Sequence, residues 1–274
     1  MKIKEPLRIT SKENAKVQRL KKLGTSAKVR WKERSYLLEG PKFVLDALRR
    51  SDLVRGVYLS DGASETFLNS VSTQDFGEAL DIYILSESLA AQVCDTRTSQ
   101  GVFAEMGFKV LEMTLSDGSA SNWLVLNAVQ DPGNVGTLIR SAVSVGGFKV
   151  LLDTKSCDPY SPKAVRASAG LVGAIDVVRV GDLFDALSLI TKWEGNLYFL
   201  ERDAQVSIFE VPLMQPLGIV VGSEGGGIEG DLHRIAHRSV SIPMADVVES
   251  INVSVAGSLA LFEFLRRNTK VELP

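Results

Sequence analysis

Cysteine and histidine are both scarce in this sequence, which holds two of each among 274 residues. Two thiols are too few for a disulfide framework or a four-cysteine zinc site, so the chain suits a reducing compartment. No apolar run is long enough to span a bilayer, and the first residues lack the apolar core of a secretory signal. We therefore expect a cytoplasmic protein without membrane contact, or an organellar one if a transit peptide has been trimmed.

The two histidines, His233 and His237, are four residues apart and would share one face of a helix. No acidic motif such as His-Glu-x-x-His accompanies them, so the sequence predicts no metal site. Proton transfer in a catalytic site would then use a residue other than histidine, unless this helix lines the site.

The net charge of −2 conceals a strong segregation of charge along the chain. Residues 1–34 hold twelve Lys or Arg against three Asp or Glu, a balance of +9, so the remaining residues carry −11. Such a basic segment is typical of proteins that contact nucleic acid. We expect a helix with Ser11 as its N-cap. Its candidate RNA-binding residues are Lys12, Lys16, Arg19 and Lys22. The alternative is a basic helix that is merely solvated.

Apolar runs and helical patterns alternate along the whole chain, which indicates an α/β protein. We predict a smaller α/β domain over residues 1–112 and a second domain over 113–274, joined near the polar stretch 116–121. In the second domain, strands are expected at 123–127, 148–153, 175–179, 197–200, 217–222 and 239–243. Helices are expected at 135–145, 161–169, 182–192, 228–236 and 252–267.

The stretch around Asn134 reads as a strand, a polar turn and a helix. The apolar run 123–126 precedes four consecutive turn-forming residues, 131–134. In open α/β sheets, sites are built on the loops at the carboxyl ends of strands, which makes Asn134 and Arg140 candidate functional residues. The alternative is an ordinary turn that is followed by a solvated arginine.

A second basic pair, Lys163 and Arg166, lies on a short helix that Pro162 would start. Residues three apart share one face of a helix, so the two side chains are placed to hold RNA phosphate together. The alternative is that both are simply solvated.

Glycines crowd residues 222–230, directly after an expected strand. Glycine lets backbone approach a ligand or another stretch of chain closely. Residues 225–230 formally match Gly-x-Gly-x-x-Gly, with Asp246 further on, which would suit a nicotinamide-dependent oxidoreductase. That pattern belongs to the first βα unit of its fold, however, and here it comes late. Glu224 is the polar residue of interest in the loop, with a plain surface carboxylate as the alternative.

The last expected helix follows the residues 249–252. Ser250 suits a helix N-cap, while Asn252 either caps the helix or points at a ligand. The helix then offers an apolar surface broad enough for a subunit interface, with core packing as the alternative. That surface consists of Leu259, Leu261, Phe262 and Leu265.

Three segments, 130–140, 220–226 and 242–255, resemble in this order the three signature motifs of the SpoU (TrmH) branch of the SPOUT methyltransferases. Residues 158–168 look like the segment that follows the first motif in that family, and residues 10–106 are similar to its ribosomal-protein-like substrate-binding domain. The resemblance implies a parallel-sheet domain with a deep trefoil knot, S-adenosylmethionine as cofactor and a homodimer. It also implies methyl transfer to a ribose 2′-hydroxyl of RNA, with ribosomal RNA favoured over tRNA.

The same resemblance implies roles for individual residues. Those implied to bind the cofactor are Gly222, Ile242, Met244 and Ile251. Those implied to be catalytic are Arg140, Asn134, Glu224, Ser250 and Asn252. Arg140 would act either as the base or as a clamp on phosphate and on the emerging alkoxide. The family's usual proline in the glycine loop is Gly226 here, which would loosen that loop. A catalytically inactive RNA-binding relative is the alternative to an enzyme.

Overall fold

The computed structural model describes residues 5–50, 53–72, 80–93, 99–113 and 121–268, and in it the chain divides into two compact units. Unit 1 combines Met1–Lys109 with Asp158–Ala174, and unit 2 combines Val110–Cys157 with Ile175–Pro274. The expected linker at 116–121 lies almost entirely outside the described residues. Within the described ranges, no helix is both long and apolar enough to cross a membrane.

Strands and helices alternate along most of the described residues, as the sequence predicts. The strands are β1 (Leu7–Ile9), β2 (Ser35–Glu39), β3 (Val54–Ser60), β4 (Ile82–Leu85), β5 (Val102–Gly107), β6 (Asn122–Leu126), β7 (Phe148–Asp153), β8 (Val177–Val180), β9 (Asn196–Leu200), β10 (Leu217–Val221) and β11 (Arg238–Val240). The α-helices are α1 (Ala15–Thr25), α2 (Ala27–Glu33), α3 (Pro41–Arg49), α4 (Asp61–Ser72), α5 (Glu87–Val93), α6 (Pro132–Val145), α7 (Pro162–Ala167), α8 (Leu183–Lys192) and α9 (Val253–Asn268).

The sheet of unit 1 has five strands in the order β1-β4-β3-β5-β2. β1, β4 and β3 run parallel, whereas β5 is antiparallel to both β3 and β2. Helix α1 packs into the core of this unit through Val17, Leu20 and Leu23, which are fully buried. Their spacing is that of one helical stripe. Lys22 lies on the opposite face and is exposed, Lys21 is half-buried, and Lys16 is exposed at the start of the stripe, with its ammonium group 4.6 Å from the centroid of the Tyr83 ring.

The start of α1 differs from the prediction. Asn14 is its N-cap, because the side-chain oxygen of Asn14 accepts a hydrogen bond from the N–H of Lys16 at 2.9 Å. Ser11, the expected cap, instead accepts from the N–H of Glu13 in the turn before the helix. Both residues satisfy backbone donors, and only the geometry of the turn decides which of them caps the helix.

Residues 158–174 follow β7 in the chain but pack in unit 1. The carboxylate of Asp158 accepts from Nε of Arg30 at 2.7 Å, and Arg30, which is 5% exposed, also donates to the carbonyl of Leu23. The rings of Phe108 and Tyr160 stack with centroids 3.9 Å apart. A buried ion pair is tolerated when further hydrogen bonds satisfy its members, as they do here. The segment is therefore an integral part of unit 1.

The sheet of unit 2 has six strands in the order β11-β9-β10-β6-β7-β8, and every neighbouring pair is parallel. This confirms the predicted α/β fold with a parallel sheet. The central strands β6 and β10 are entirely buried, which explains their almost unbroken apolar sequences. From β6 the chain continues to β7 and β8 on one side, while β10, β9 and β11 lie on the other. The carboxyl ends of β6 and β10 are therefore a topological switch point, where sites form in such sheets.

Two elements near this edge are shorter than expected. The helix predicted at 228–236 is a 3-10 helix over Gly230–Arg234, and the strand predicted at 239–243 is β11, which ends at Val240. Pro243 has no N–H to donate to a ladder, which limits the length of this edge strand. The chain beyond β11 is thus irregular as far as α9.

Candidate active site

A cavity of about 640 Å³ opens at the carboxyl ends of β9, β10 and β11. Three stretches that are far apart in the chain form its walls: 200–203 after β9, 221–227 after β10, and parts of 240–256 before and within the start of α9. Its charged lining residues are Glu201, Asp203, Glu224, Glu249 and Arg202. With four carboxylates against one guanidinium, the cavity favours a ligand that carries positive charge.

At Gly222, which lines the cavity, the backbone passes very close to another stretch of backbone. A Cβ atom at Gly222 would overlap the backbone of Gly227 and Ile228. Between them the loop closes on itself, because Ser223 and Gly227 exchange two backbone hydrogen bonds of 2.9 and 3.0 Å. Only glycine fits at position 222, because any side chain there would push the two stretches of backbone apart.

Gly226 stands where the family usually has proline, and its backbone N–H makes a hydrogen bond. The N–H of Gly226 donates to the hydroxyl of Ser223 at 3.1 Å. A proline has no N–H and could not make this bond. The loop is therefore held by contacts that differ from those a proline would provide.

Glu224 and Asn134 meet at this edge of the sheet. The side-chain amide of Asn134 donates to the carboxylate of Glu224, although the two residues are 90 positions apart. Asn134 is 8% exposed and lies in the first turn of α6, where Asp131 caps the helix by accepting from the N–H of Asn134 at 3.1 Å. The structure thus joins the first and second predicted motifs through one polar contact.

Asn252 and Ser250 both line the cavity, and Asn252 also caps α9. The side-chain oxygen of Asn252 accepts from the N–H of Ser254 at 2.8 Å and from that of Val255 at 3.3 Å. The N-cap of α9 is therefore Asn252 and not Ser250. Since its oxygen serves the helix, the amide nitrogen of Asn252 is the atom that could donate to a ligand.

Arg140 does not line the cavity of its own chain. It is exposed on α6, six residues after the buried Asn134. Six residues of helix separate two side chains by about 9 Å along the axis and about 240° around it, so the two point in different directions. The next residue, Ser141, faces α9, with its hydroxyl 2.7 Å from that of Ser258. Within one chain, the cavity therefore brings together Glu224, Ser250 and Asn252, with Asn134 behind them, but not Arg140.

The residues expected to bind the cofactor all line the cavity: Gly222, Ile242, Met244 and Ile251. Three of them are apolar and would cover the flat, weakly polar part of a nucleoside. The absence of a side chain at Gly222 lets backbone amides approach such a ligand closely. The surplus of carboxylates suits the sulfonium and ammonium groups of S-adenosylmethionine. The cavity fits this cofactor in volume, in apolar surface and in charge.

Sequence reasoning missed Asn127, which organises the edge of the sheet. Asn127 is fully buried; its side chain donates to Asp153 at 3.1 Å and accepts from the N–H of Glu229 at 2.8 Å. Its own N–H donates to the carbonyl of Val221. One residue thus connects the ends of β6, β7 and β10. The available signal was its position, a polar residue directly after a buried apolar strand.

The two histidines lie beside the cavity in contact with Glu201, one of its lining residues. Nε2 of His233 is 2.5 Å from the carboxylate of Glu201, and this hydrogen bond raises the pKa of His233. Burial would raise the pKa of Glu201, but hydrogen bonds from Ser239 and His233 outweigh it and lower the pKa. The acidic partner that the local sequence lacks is therefore supplied by the end of β9.

All six residues expected to bind RNA lie in unit 1. Lys12, Lys16, Lys22 and Lys163 are exposed, whereas Arg19 and Arg166 are half-buried. The guanidinium group of Arg19 donates to Glu105 at 2.9 Å and to Glu33 at 2.8 Å. Arg19 thus makes contacts that hold unit 1 together, in addition to any role towards RNA.

The family of the chain follows from two matches. Residues 121–262 match the SpoU rRNA Methylase family, and residues 14–104 match the MRM3-like substrate binding domain. The fold and the cavity thus belong to a methyltransferase of the class that modifies RNA. This chain is a member of the SpoU rRNA methylase family.

Individual relatives are similar over almost the whole chain. The 23S rRNA (guanosine(2553)-2'-O)-methyltransferase RlmP of Bacillus subtilis is 31% identical over 93% of this chain and 97% of its own length. The 23S rRNA (guanosine-2'-O-)-methyltransferase RlmB of Xanthomonas campestris is 30% identical over 79% of this chain and 90% of its own length. The structure of an AdoMet-bound rRNA methyltransferase from Sinorhizobium meliloti is 25% identical, with a TM-score of 0.78 over 96% of this chain and 98% of that chain.

Proposed function

We propose that this protein transfers a methyl group from S-adenosylmethionine to a ribose 2′-hydroxyl of ribosomal RNA. The observation that carries the proposal is the cavity at the carboxyl ends of β9, β10 and β11, where Gly222, Glu224 and Asn252 converge from two distant motifs. Membership of the SpoU family supports the reaction type. The relatives named as 23S rRNA 2′-O-methyltransferases support ribosomal RNA as the substrate over tRNA.

The division of charge supports an RNA substrate independently of the relatives. The lysines of α1 and α7 lie in unit 1, and residues 14–104 of this unit match a substrate-binding domain. Exposed lysines bind phosphates without regard to base sequence, so they supply affinity and orientation. We assign RNA binding to the predicted domain 1–112, together with Lys163 and Arg166, and methyl transfer to the predicted domain 113–274.

The reaction requires alignment more than covalent participation by the protein. When bound, S-adenosylmethionine would supply the methyl group to the ribose oxygen, and the electron pair of the broken methyl–sulfur bond would stay on sulfur. Good positioning of two reactants lowers a barrier by about 7–11 kcal/mol. Asn252 and Ser250 would orient the ribose by hydrogen bonds, and Asn134 would hold Glu224 in place for the same task.

Arg140 is assigned to the phosphate and to the developing negative charge on the ribose oxygen. A guanidinium group is a poor proton acceptor, so we favour this clamp over the role of base. The hydroxyl proton passes to solvent as the alkoxide forms, and a positive charge fixed near the oxygen stabilises that state.

The exposed position of Arg140 supports a homodimer. Helix α9 exposes three large apolar side chains at helical spacing on one face, Val255, Leu259 and Phe262, which are 41–49% exposed. Such a stripe, next to the face of α6 that carries Ser141, suits a second copy of the chain. In this assembly Arg140 would reach the cavity of the partner protomer. We also infer a trefoil knot in the predicted domain 113–274, as the resemblance to the family implies, and a cytoplasmic location.

A methylation assay tests the function. Full-length protein is incubated with S-adenosylmethionine labelled in the methyl group and with ribosomal RNA that lacks its modifications. A 2′-O-methyl group blocks alkaline cleavage of the neighbouring phosphodiester, so label should appear in alkali-resistant dinucleotides. Label in mononucleotides would mean base methylation, and no label in RNA would contradict the proposal. Labelled tRNA in a parallel reaction, without labelled ribosomal RNA, would overturn the assignment of substrate.

A further inference from the structure

Glu201, His233 and His237 form a cluster that methyl transfer does not use. Each offers one ligand atom, and these atoms all lie within 4.8 Å of one another. Glu201 comes directly after β9, whereas the histidines belong to the segment that leads into β11. The side chains of Glu201 and His233 are 26% and 35% exposed, so the cluster is open to solvent on one side.

Backbone carbonyls fix which nitrogen of each imidazole is available. Nδ1 of His237 lies 2.7 Å from the carbonyl oxygen of Ile235, and Nδ1 of His233 lies 3.3 Å from that of Glu229. A carbonyl oxygen only accepts, so each Nδ1 carries the proton of the neutral ring and Nε2 carries the lone pair. Metal-binding histidines are held in the same way, with the second ring nitrogen donating to a carbonyl or carboxylate.

The ring orientations are fixed as well. His237 stacks on the buried ring of Phe199, with centroids 4.1 Å apart and planes 18° apart. The ring of His233 stands at 84° to that of His237, and Nε2 of His233 faces Glu201. A carboxylate and two imidazoles thus converge from different directions, as tetrahedral coordination requires.

We infer that Glu201, His233 and His237 form a binding site for a divalent transition metal ion, for which Zn²⁺ is the best fit. Two imidazole nitrogens and one carboxylate oxygen match a three-ligand zinc site with water in the fourth position. Imidazole ligands disfavour Mg²⁺ and Ca²⁺, which take oxygen ligands. The ion would occupy the place of the proton shared by His233 and Glu201. It would connect the end of β9 to the segment before β11 and so stabilise one wall of the cavity, without taking part in methyl transfer.

Calorimetric titration of Zn²⁺ into untagged, chelator-treated full-length protein tests the site. The chain has two histidines in total, which keeps background binding low. We expect one ion per chain and a higher melting temperature with Zn²⁺. His237→Phe keeps the stacking on Phe199 but removes a ligand, and Glu201→Gln removes the anionic ligand. Each should weaken binding at least about tenfold and abolish the increase in melting temperature.

Two further variants separate the site from general effects. Glu249→Gln changes a carboxylate that lines the same cavity but lies outside the cluster, so its affinity for Zn²⁺ should equal that of the wild type. His233→Gln changes a partly exposed ligand and serves if His237→Phe fails to fold. The proposal is overturned if the wild type binds no Zn²⁺ at a ratio of one to one. It is also overturned if folded ligand variants bind as the wild type does, or if Glu249→Gln loses affinity as they do.

Discussion

The two units of this protein are both α/β, yet they use their polar residues differently. In unit 1 the sheet is mixed, and its buried or half-buried charges pair with each other, as Arg19 does with Glu105 and Arg30 with Asp158. In unit 2 the sheet is entirely parallel, and polar residues from three distant stretches meet at one edge. Parallel strands all end at the same edge, so the loops that follow the strands gather there, whereas in a mixed sheet the loops that follow the strands lie at both edges. Among the described residues, strand direction thus explains how unit 2 gathers such a site.

In the proposed function, unit 2 carries out the chemistry and unit 1 binds the RNA. The largest expected effect is on Arg140, which belongs to unit 2 but lies outside the cavity of its own chain. Arg140→Ala should lower methyl transfer by about 100- to 1000-fold, the usual cost of losing a group that stabilises an oxyanion. Cofactor affinity, measured by calorimetry, should remain that of the wild type. An equal loss of cofactor affinity would instead place Arg140 at the cofactor.

Mixed dimers test whether Arg140 serves the cavity of its own chain or the cavity of the partner. Arg140→Ala and Glu224→Ala chains are each expected to be inactive alone, and are refolded together in equal amounts. If Arg140 serves the cavity of the partner, half of the dimers contain one intact site, and about a quarter of wild-type activity should return. If Arg140 serves its own chain, no site is intact and no activity returns.

A substitution at Gly222 tests whether the close approach of Gly222 to Gly227 is needed to form the cavity. Gly222→Ala places a Cβ atom against the backbone of Gly227 and should weaken binding of S-adenosylmethionine by about 5- to 150-fold, since overpacking costs about 1–3 kcal/mol. Gly230→Ala is the matched control, because a Cβ atom there meets nothing within 4 Å. If the two variants bound the cofactor with equal affinity, the close approach of Gly222 to Gly227 would not be needed for cofactor binding.

The lysines of unit 1 are expected to have a smaller, salt-dependent effect. Lys12, Lys16 and Lys22 changed together to Glu should weaken RNA binding at least about tenfold and flatten its dependence on salt, because phosphate contacts are lost. Arg19→Ala should instead lower the stability of unit 1 by about 1–3 kcal/mol, because Glu105 loses a partner. Filter binding at several salt concentrations and chemical denaturation measure the two effects. An unchanged salt slope for the lysine variant would mean that these residues are only solvated.

The smallest effect concerns an ion network in unit 2 that is unrelated to the cavity. Hydrogen bonds from Arg266 and Arg267 lower the pKa of Glu263 to about 2, from an ordinary value of 4.5. Because the folded pKa is depressed, this stabilisation is fully present above about pH 4.5 and is lost as the pH falls towards 2. Glu263→Gln should cost about 1–2 kcal/mol at pH 7, a modest value because Arg266 is largely exposed. In chemical denaturation at pH 3, the difference in the free energy of unfolding between the wild type and Glu263→Gln should be smaller than at pH 7. An equal difference at both pH values would contradict the role of the Glu263 carboxylate.

Much of the local structure followed from the sequence. Apolar runs predicted the strands of the parallel sheet. Turn residues also predicted helix starts, but the cap of α1 is Asn14 and not Ser11. Of the two candidate caps before α9, Asn252 caps the helix and Ser250 does not. Capping depends on the exact dihedral angles of a turn, which residue type alone does not determine. Helix α2 was not predicted as a separate element, because Ser26 ends one helix and caps the next.

The candidate site was only partly visible in the sequence. The three motifs indicated which residues to examine, but not that Asn127 connects three strand ends, or that Glu201 completes a cluster with histidines more than thirty positions away. Arg140 lies in the same motif as Asn134, yet the turn of the helix directs the two side chains apart. Side-chain direction and contacts between distant segments arise only when the chain has folded.

By itself, the sequence determined the class of fold, the segregation of charge and the family, because these depend on periodicity, composition and ordered motifs. The tertiary structure decided that residues 158–174 pack with the first unit and that Gly222 approaches Gly227. It also decided that Arg140 lies outside the cavity of its own chain. The physical reason is that periodicity is a local property, whereas a site is made by strand order, which brings the ends of distant segments to one edge of a sheet.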